Sequence, residues 1–367
     1  MKTTISLLII LVAVAINLFC GDASTLARAE NIDQLRQQAE QGNAEAQNSL
    51  GIMYQNGRDV APDDRQAVVW YQKAANQGHR YAQSNLGFMY RNGRGVPQDD
   101  RQALAWYQKA AGQGVAEAQC SLGQIYENGR GVAQDYRQAV AWYQKAADQG
   151  HARAQLNLGG MYADGCGVAR DDRQAATWWQ KAADQGDVMA QANLGVAYAK
   201  GRGVAQDDRQ AVVWFRKAAE QGYAVAQSNL GVAYVEGRGV PQDYRQAVAW
   251  YQKAADQGYA MAQFNLGVMY GQGLGVAQDA RQAVAWYRKA ANQSNAKAQY
   301  YLGVAYDTGR GVLEDYAEAY AWYSLAAANH NKQAAENRKK ILQRMSQVQV
   351  TAGQERAKAL LATFERK

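Results

Sequence analysis

Apolar residues recur along this chain at helical spacing, and the whole pattern returns every 36 residues. The clearest copy covers residues 82–114 and reads AQSNLGFMYRNGRGVPQDDRQALAWYQKAAGQG. In eight copies the dipeptide Leu-Gly begins at residue 50, 86, 122, 158, 194, 230, 266 or 302, and a Trp follows 20 residues later. A fixed period of this length predicts a helical solenoid, in which each repeat packs on its neighbours.

The first half of each repeat has the pattern of one amphipathic helix. We number positions 1–36 within each repeat, starting at residue 43 and then every 36 residues to 295. Apolar residues at positions 4, 8, 11 and 12 fall on one side of a helix over about positions 2–13. In the second repeat these residues are Ala82, Leu86, Met89 and Tyr90. Gly87, at position 9, is a poor helix former, so its recurrence predicts the close approach of a neighbouring backbone.

The second half of each repeat begins with an Asp at position 21 and continues as a second helix. Asp99, with Gln102 three residues later, resembles a capping box, in which each side chain bonds a free backbone N–H group. An apolar stripe follows, formed in this repeat by Ala103, Trp106, Tyr107, Ala110 and Ala111. Each repeat is therefore predicted to be an α-hairpin that needs neighbours on both sides to bury its stripes.

The first 29 residues differ from the repeats. Lys2 is followed by an apolar run over 5–19 and then by Ala-Arg-Ala, which is the pattern of a secretory signal peptide cleaved after Ala29. The apolar run is too short to favour a permanent transmembrane span. Cleavage would leave an exported protein, either periplasmic or secreted. The alternative is a lipid anchor on Cys20, although the bulky Phe19 before it is atypical of lipoprotein sites.

The ends of the array have the pattern of caps. Leu35 and Ala39 stand where a second helix has Tyr71 and Ala75, which predicts a truncated N-terminal capping helix. The chain is thus divided into a signal peptide at 1–29, an N-terminal capping helix at 30–42, eight repeats at 43–330, and C-terminal capping helices with a basic surface at 331–367.

Two helices are expected in the C-terminal tail, at about 332–346 and 352–365. A capping box of Thr351 and Gln354 would begin the second one. Leu325 stands where the other seven repeats have Lys, which predicts that another apolar segment packs on it.

The net charge of +7 is unevenly distributed along the chain. Residues 30–330 are balanced, whereas 1–29 carry +1 and 331–367 carry +6. The tail charge has two interpretations: a solvated outer face on a capping helix, or a basic patch that contacts an acidic partner or an anionic envelope surface. Export argues against a nucleic-acid partner.

Few reactive residues lie outside the repeat pattern. Ser294 and Lys297 fit the S-x-x-K pattern of serine β-lactamases, but Ser294 replaces the Gly that closes the other repeats and no companion motif is present. We therefore expect no enzyme, with a β-lactamase-like hydrolase as a weaker alternative. The His and Cys residues lack ligand spacing, so neither a metal nor another cofactor is predicted. Whether Cys120 and Cys166 form a disulfide stays open.

The repeated motif AxAQxxLGxxY, then GxGV, then DxxQAxxWYxKAAxQG resembles the Sel1-like repeat family, a relative of the tetratricopeptide repeats. The resemblance covers 43–330 in phase. It implies an all-α fold, a right-handed superhelical solenoid of eight 36-residue α-hairpin repeats with N- and C-terminal caps. It also implies an adaptor that binds a partner protein, since exported bacterial members engage host proteins, cell-envelope components or polysaccharide-secretion machinery. A regulator or recruiter of an envelope enzyme or secretion complex is the alternative.

The binding surface is predicted from positions that hairpin packing does not need. Positions 3, 6, 10 and 13 point away from the core of the first helix and vary between repeats, and the first helices of such a superhelix line its concave face. Two aromatic patches are evident, Tyr81 with Phe88 and Phe264 with Tyr300. The predicted partner-binding residues are Tyr81, Phe88, Arg91, Glu117, Glu127, Arg153, Leu156, Phe264 and Tyr300. The alternative is that these side chains pack against the next repeat.

Overall fold

The computed structural model describes residues 32–365. The predicted signal peptide, with Ala29 and Cys20, lies outside the described residues. All regular secondary structure within 32–365 is α-helical, which confirms the all-α class. The first helix, α1, covers 32–40. The helices that follow it are α2 Ala44–Asn56, α3 Asp64–Asn76, α4 Arg80–Asn92, α5 Asp100–Gly112, α6 Ala116–Asn128, α7 Tyr136–Asp148, α8 Ala152–Asp164, α9 Asp172–Asp184, α10 Val188–Lys200, α11 Asp208–Glu220, α12 Ala224–Glu236, α13 Tyr244–Asp256, α14 Ala260–Gln272, α15 Ala280–Ala291, α16 Ala296–Thr308, α17 Tyr316–Ala328, α18 Lys332–Leu342 and α19 Gln347–Glu365.

These helices form two compact units. Unit 1 contains α1–α8 and ends at Asp171, and unit 2 contains α9–α19 and begins at Asp172. The even-numbered helices from α2 to α16 are the first helices of the eight repeats, and the odd-numbered helices from α3 to α17 are the second helices. Repeat 4 contributes α8 to unit 1 and α9 to unit 2. Within each unit, consecutive helices of the repeats pack on one another, as the predicted solenoid of hairpins requires.

Each second helix begins at the predicted Asp. Oδ1 of Asp99 accepts hydrogen bonds from the N–H groups of Arg101 and Gln102, at 2.9 and 3.0 Å. The reciprocal half of the predicted capping box is wrong, because the Asp99 N–H group donates to the carbonyl of Tyr90 at 3.0 Å. The equivalent bond from position 21 to position 12 occurs in all eight repeats. The cap therefore also fixes the end of the first helix to the start of the second.

The Gly at position 9 makes room for an aromatic ring and not, as predicted, for a neighbouring backbone. A β-carbon on Gly51 would lie 2.6 Å from the ring of Tyr71, and one on Gly123 would lie 2.4 Å from the ring of Tyr143. Each Tyr belongs to the second helix of the same repeat, and both side chains are fully buried. The Gly thus lets the two helices of a hairpin enclose a large aromatic side chain.

The second Gly of the GxGV turn lies against the preceding repeat. Gly95 has a φ of 69°, and a β-carbon there would lie 2.2 Å from the carbonyl oxygen of Asp64. Gly239 has a φ of 70° and would bring a β-carbon 2.1 Å from the oxygen of Asp208. Both Asp residues begin the second helix of the repeat before. Asp59, which replaces this Gly in repeat 1, keeps the left-handed φ at 66°.

A buried Gln at position 5 connects consecutive repeats, a role that the sequence analysis did not predict. Nε2 of Gln227 donates to the Ala219 carbonyl of the preceding repeat at 3.1 Å, and its Oε1 accepts from Nε2 of Gln257 at 2.8 Å. Gln227 is only 4% exposed, so losing these partners would leave buried polar groups without hydrogen bonds. The other Gln side chains that bond a carbonyl in this way are Gln47, Gln83, Gln119, Gln155, Gln191, Gln263 and Gln299.

The recurring Trp lies at the junction between repeats. Trp286 is 8% exposed and shares a cluster with Leu266 and Met269 of its own repeat and with Tyr251 of the preceding one. Nζ of Lys289 lies 3.7 Å from the centroid of the Trp286 ring. The same cation–π contact occurs in repeats 1–7, so the outer side of each of these Trp rings is covered by a Lys.

In repeat 8, helix α19 packs over Leu325, which stands where repeats 1–7 have the Lys that contacts the Trp ring. Leu325 is 2% exposed and packs in one cluster with Ala357 and Leu360 of α19. At the other end, Ala39 of α1 packs with Ala46 and Leu50. Both terminal segments therefore bury apolar positions of the adjoining repeat.

No helix among the described residues is long and apolar enough to cross a membrane.

The tail helices differ from the sequence prediction at their inner ends. Helix α18 ends at Leu342 and α19 begins at Gln347, earlier than expected in both cases. The predicted cap at Thr351 is wrong, because this residue lies within α19 and its hydroxyl donates to the Gln347 carbonyl at 3.1 Å. The capping box is formed instead by Ser346 and Gln349, where the Ser346 N–H group donates to Oε1 of Gln349 at 2.9 Å.

Candidate partner-binding surface

Positions 3, 7 and 10 of the first helices form a surface that we call the first-helix face. These positions are spaced by four and three residues, so they lie on one side of a helix. In repeat 2 they are Tyr81, Asn85 and Phe88. Position 6, which the sequence analysis also assigned to the surface, is buried in repeats 1–7 and half-buried in repeat 8.

Large apolar side chains are exposed on this face near the start of unit 1. Tyr81 is 48% exposed, and Phe88 and Ile52 are each 39% exposed. The Arg80 guanidinium lies 4.8 Å from the centroid of the Tyr81 ring, and that of Arg94 lies 6.0 Å from the centroid of Phe88. A single exposed apolar residue is ordinary, but a group of them beside cations has the composition of a protein interface.

Glu117 on the first-helix face of repeat 3 is held by a His of the next repeat. Nε2 of His151 lies 2.8 Å from Oε2 of Glu117, and its Nδ1 accepts a hydrogen bond from the N–H group of Ala154 at 3.2 Å. Because Nδ1 is an acceptor, Nε2 carries the hydrogen and donates to the carboxylate. This bond lowers the pKa of Glu117, so the side chain is ionised at neutral pH. Glu45 and His79 form the same pair two repeats earlier, at 2.9 Å.

Arg91 and Glu127, both at position 13, are bonded within the protein. Nη1 of Arg91 donates to Oε1 of Gln124 at 2.9 Å, and Glu127 accepts a hydrogen bond from the Tyr143 hydroxyl. Burial and this carboxylate raise the pKa of Tyr143, so its hydroxyl stays protonated and acts as the donor. Both position-13 side chains are half-buried, whereas Arg153, at position 3, is exposed.

Leu156 and Phe264 are buried, so the prediction that they lie on the binding surface is wrong. Each side chain is only 7% exposed. The centroid of the Phe264 ring lies 5.9 Å from that of Tyr287 and 5.5 Å from that of Tyr301, which belongs to the next repeat. The alternative interpretation, packing against the next repeat, therefore describes Phe264. Position 6 is directed towards the neighbouring first helix, so variation there reflects packing between repeats.

An exposed aromatic residue that the sequence analysis missed lies beside Tyr300. Tyr300 is half-buried, with its ring centroid 6.0 Å from that of Tyr323. Tyr301 is 39% exposed, and its ring contacts those of Phe264, Tyr287 and Tyr300. The other seven repeats have Ser or Asn at this position 7, so a comparison of that position alone would have identified Tyr301.

The candidate reactive residues have structural roles or are buried. Ser294 has a φ of 61° and takes the left-handed turn position that Gly258 takes in the preceding repeat. Cys120 and Cys166 are free thiols, and burial raises the pKa of Cys120 to about 12, which makes its thiol unreactive at neutral pH. Among the described residues, no group of three or more His, Cys, Asp or Glu side chains is placed to hold a metal ion.

The repeats match a known family over most of the chain. The Sel1 repeat pattern matches at 44–79, 80–115, 116–151, 152–187, 188–223, 224–259, 260–295 and 296–331. The chain belongs to the Sel1 repeat family. Sel1 repeat proteins generally act as scaffolds for protein–protein interaction and are generally not enzymes. The phase of the matched repeats differs by one residue from the numbering used above.

The solved structures that are similar to this Sel1 repeat protein include the following two. One is c5321, described as a protective antigen present in uropathogenic Escherichia coli strains; it is 35% identical, with 90% of this chain and 86% of that chain covered and a TM-score of 0.53. The other is a Sel1 repeat protein from Oxalobacter formigenes, 38% identical, with 84% and 89% covered and a TM-score of 0.64. A search of curated proteins gave no match.

Proposed function

We propose that this Sel1 repeat protein is an exported, non-enzymatic scaffold whose first-helix face in unit 1 binds a partner protein. The observation that carries the proposal is the exposure of Tyr81 and Phe88 on one side of α4, beside Arg80 and Arg94. Aromatic and Arg side chains provide most of the binding energy in many protein interfaces. Core positions of the same helix already bury Leu86 and its neighbours, so the hairpin does not need these two rings.

Charged residues of repeats 3 and 4 support the same surface. Glu117 is held by His151, so it would lose little conformational entropy when a partner binds. Arg153 is exposed at the equivalent position of the following repeat. We expect these charges to form the polar rim of the interface and to select a partner of complementary charge.

Export is supported by two independent observations. Lys2, an apolar run over 5–19 and Ala-Arg-Ala at 27–29 follow one another in the order of a secretory signal. The similar protein c5321 is described as a protective antigen present in uropathogenic Escherichia coli strains. Both favour a place in the cell envelope or outside the cell, where the partner would be an envelope component or a host protein.

Replacement of Tyr81 and Phe88 by Ala is expected to weaken partner binding without destabilising the fold. Affinity capture from envelope extract and from host fluid would supply the partner, and calorimetric titration would give its dissociation constant. Loss of the anchor rings should reduce the affinity by roughly 2 kcal/mol or more, which is about 30-fold. The melting temperature should be nearly unchanged, because both side chains are substantially exposed.

The matched control is Val69→Ala, which removes an apolar side chain of similar exposure, 45%, from a second helix of unit 1. This variant should bind the partner as tightly as the wild type. The proposal is wrong if the double variant retains full affinity, or if Val69→Ala weakens binding to the same extent. The captured partner also decides whether the scaffold serves an envelope enzyme, a secretion complex or a host protein.

Signal cleavage is expected between Ala29 and Glu30, because the small residues at 27 and 29 fit the site of a signal peptidase. Amino-terminal sequencing of the protein recovered from cell-envelope and culture fractions measures this directly. A chain that begins at Cys20 and carries a lipid would replace the soluble form with an anchored one. An intact amino terminus on protein recovered from the cytoplasm would refute export.

A further inference from the structure

A cavity of about 180 Å³ lies between repeats 7 and 8 of unit 2, and we call it the Arg310 cavity. Its apolar wall is formed by Val284, Tyr287 and Val304, with Tyr301 at its edge, and its polar edge includes Thr308 and Arg310. A cavity of about 150 Å³ is large enough for a benzene ring. The Arg310 cavity can therefore hold one aromatic or large aliphatic side chain.

Position 13 of repeat 7, which lines the cavity, is Gly271. Repeats 2 and 3 have Arg91 and Glu127 at this position, and repeat 6 has Val235. A β-carbon on Gly271 would lie 3.4 Å from the Tyr287 hydroxyl, at ordinary contact distance, and this Gly is helical with a negative φ. A side chain at 271 is thus compatible with the backbone and would occupy the space that Gly271 leaves.

Arg310 has no carboxylate partner like the one that Arg94 binds at the same position, 16, of repeat 2. In repeat 2, Nε and Nη2 of Arg94 donate to the two carboxylate oxygens of Asp64 at 2.9 and 2.7 Å. The residue equivalent to Asp64 opposite Arg310 is Ala280. Nη2 of Arg310 makes only a long contact of 3.5 Å with the Gly271 carbonyl, and Arg310 forms no ion pair with the residues that the structure describes.

An equivalent cavity of about 220 Å³ between repeats 5 and 6 differs in its charge. Phe215 and Val232 form its wall at the same helix positions as Tyr287 and Val304. There, however, the lining includes both Asp208 and Arg238. Arg238 forms an ion pair with Glu236. The Arg310 cavity combines the same apolar space with an Arg whose charge has no acidic partner.

We propose that the Arg310 cavity binds a segment of a partner protein in which an aromatic or large aliphatic residue is followed by an acidic residue. The apolar side chain enters the cavity, and the carboxylate takes the place of the missing Asp on Arg310 in the two-bond geometry of Arg94 with Asp64. The C-terminal segment 331–367, which belongs to unit 2 and carries +6, favours the approach of an acidic segment. This inference rests on the proposed function in one respect, that the ligand is a protein.

The test is a titration of the purified, ¹⁵N-labelled protein with two capped peptides, acetyl-Gly-Gly-Phe-Asp-Gly-Gly-amide and the same peptide with Asn in place of Asp. NMR is the suitable measurement because peptides this short bind weakly. The Asp peptide should shift the backbone signals of Gly271, Tyr301 and Arg310, and the Asn peptide should bind at least fivefold more weakly, since it lacks the charge that Arg310 requires.

Two variants use residues that the chain already has at the same positions. Ala280→Asp introduces the acid that repeats 1, 2, 4 and 5 have at this position, so it should pair with Arg310 and abolish binding of the Asp peptide while the melting temperature is maintained. Gly271→Val introduces the residue that repeat 6 has at 235 and should also block binding, by filling the cavity. If one variant does not fold, the other variant and the comparison of the two peptides still decide the matter.

Equal binding of the Asp and Asn peptides would refute the proposal, and so would full binding by Ala280→Asp or signal shifts that lie outside the cavity. The titration requires no natural partner. The variant with Ala at positions 81 and 88 should bind the Asp peptide like the wild type. A failure of this inference is therefore distinguishable from a failure of the proposed first-helix face.

Discussion

Gly239→Ala is expected to destabilise repeats 5 and 6 by about 2 to 5 kcal/mol. The new β-carbon would lie 2.1 Å from the Asp208 carbonyl oxygen, and this backbone atom cannot move without shifting the start of α11. Overpacking of this kind costs about 1 to 3 kcal/mol. The φ of 70° adds about 1 to 2 kcal/mol of strain for a residue with a β-carbon. Denaturant unfolding followed by circular dichroism measures the loss, and hydrogen exchange in α11 and α12 locates it.

The control for this prediction is Gly222→Ala. Gly222 also has a left-handed φ, at 89°, but a β-carbon there would meet no atom within 4 Å. Only the conformational strain of about 1 to 2 kcal/mol should appear. If the two variants are equally stable, the contact of the GxGV turn with the preceding repeat does not contribute to stability, and the recurrence of its second Gly reflects φ alone.

Trp286→Ala is expected to reduce the free energy of unfolding by about 3 to 5 kcal/mol, the usual cost of truncating a buried aromatic side chain. The side chain is 8% exposed and joins Leu266 of its own repeat to Tyr251 of the preceding one. The variant also removes the cation–π contact with Lys289, which contributes about 0.5 to 1 kcal/mol at an exposed site. Thermal unfolding and hydrogen exchange in α13–α15 would measure the effect.

Trp70→Ala is the matched comparison, because it makes the same substitution at the equivalent position of repeat 1. Trp70 is only partly buried and packs at the edge of a small cluster with Leu35 and Leu50. Its loss should therefore cost clearly less than the loss of Trp286. Equal costs would show that burial at the junction between repeats does not set the contribution of this residue.

Local features of the chain were readable from the sequence. The 36-residue period predicts the number of repeats, and the Asp at position 21 predicts where each second helix begins. The start of each second helix involves residues within about one helical turn of each other, so backbone hydrogen bonds and side-chain spacing determine it. The apolar spacing likewise predicts which side of a helix is buried.

The candidate site could be predicted only in part. Tyr81 and Phe88 are exposed on the side of α4 that the spacing indicates. Phe264 was assigned to the same surface but is buried against Tyr301 of the next repeat. Helical spacing gives the direction of a side chain relative to its own helix axis, whereas the burial of Phe264 depends on how closely the next first helix approaches.

The sequence by itself determined the periodic α-hairpins, the Asp that caps each second helix and the family to which the chain belongs, because these depend on patterns repeated eight times. Only the tertiary structure showed that a Tyr ring packs against the position-9 Gly, that Gly239 lies on the Asp208 carbonyl, and that Arg310 faces Ala280 beside an open cavity. Each of these contacts joins residues of different helices. Their distances depend on how the helices pack, and close packing makes a change of even one methylene group significant.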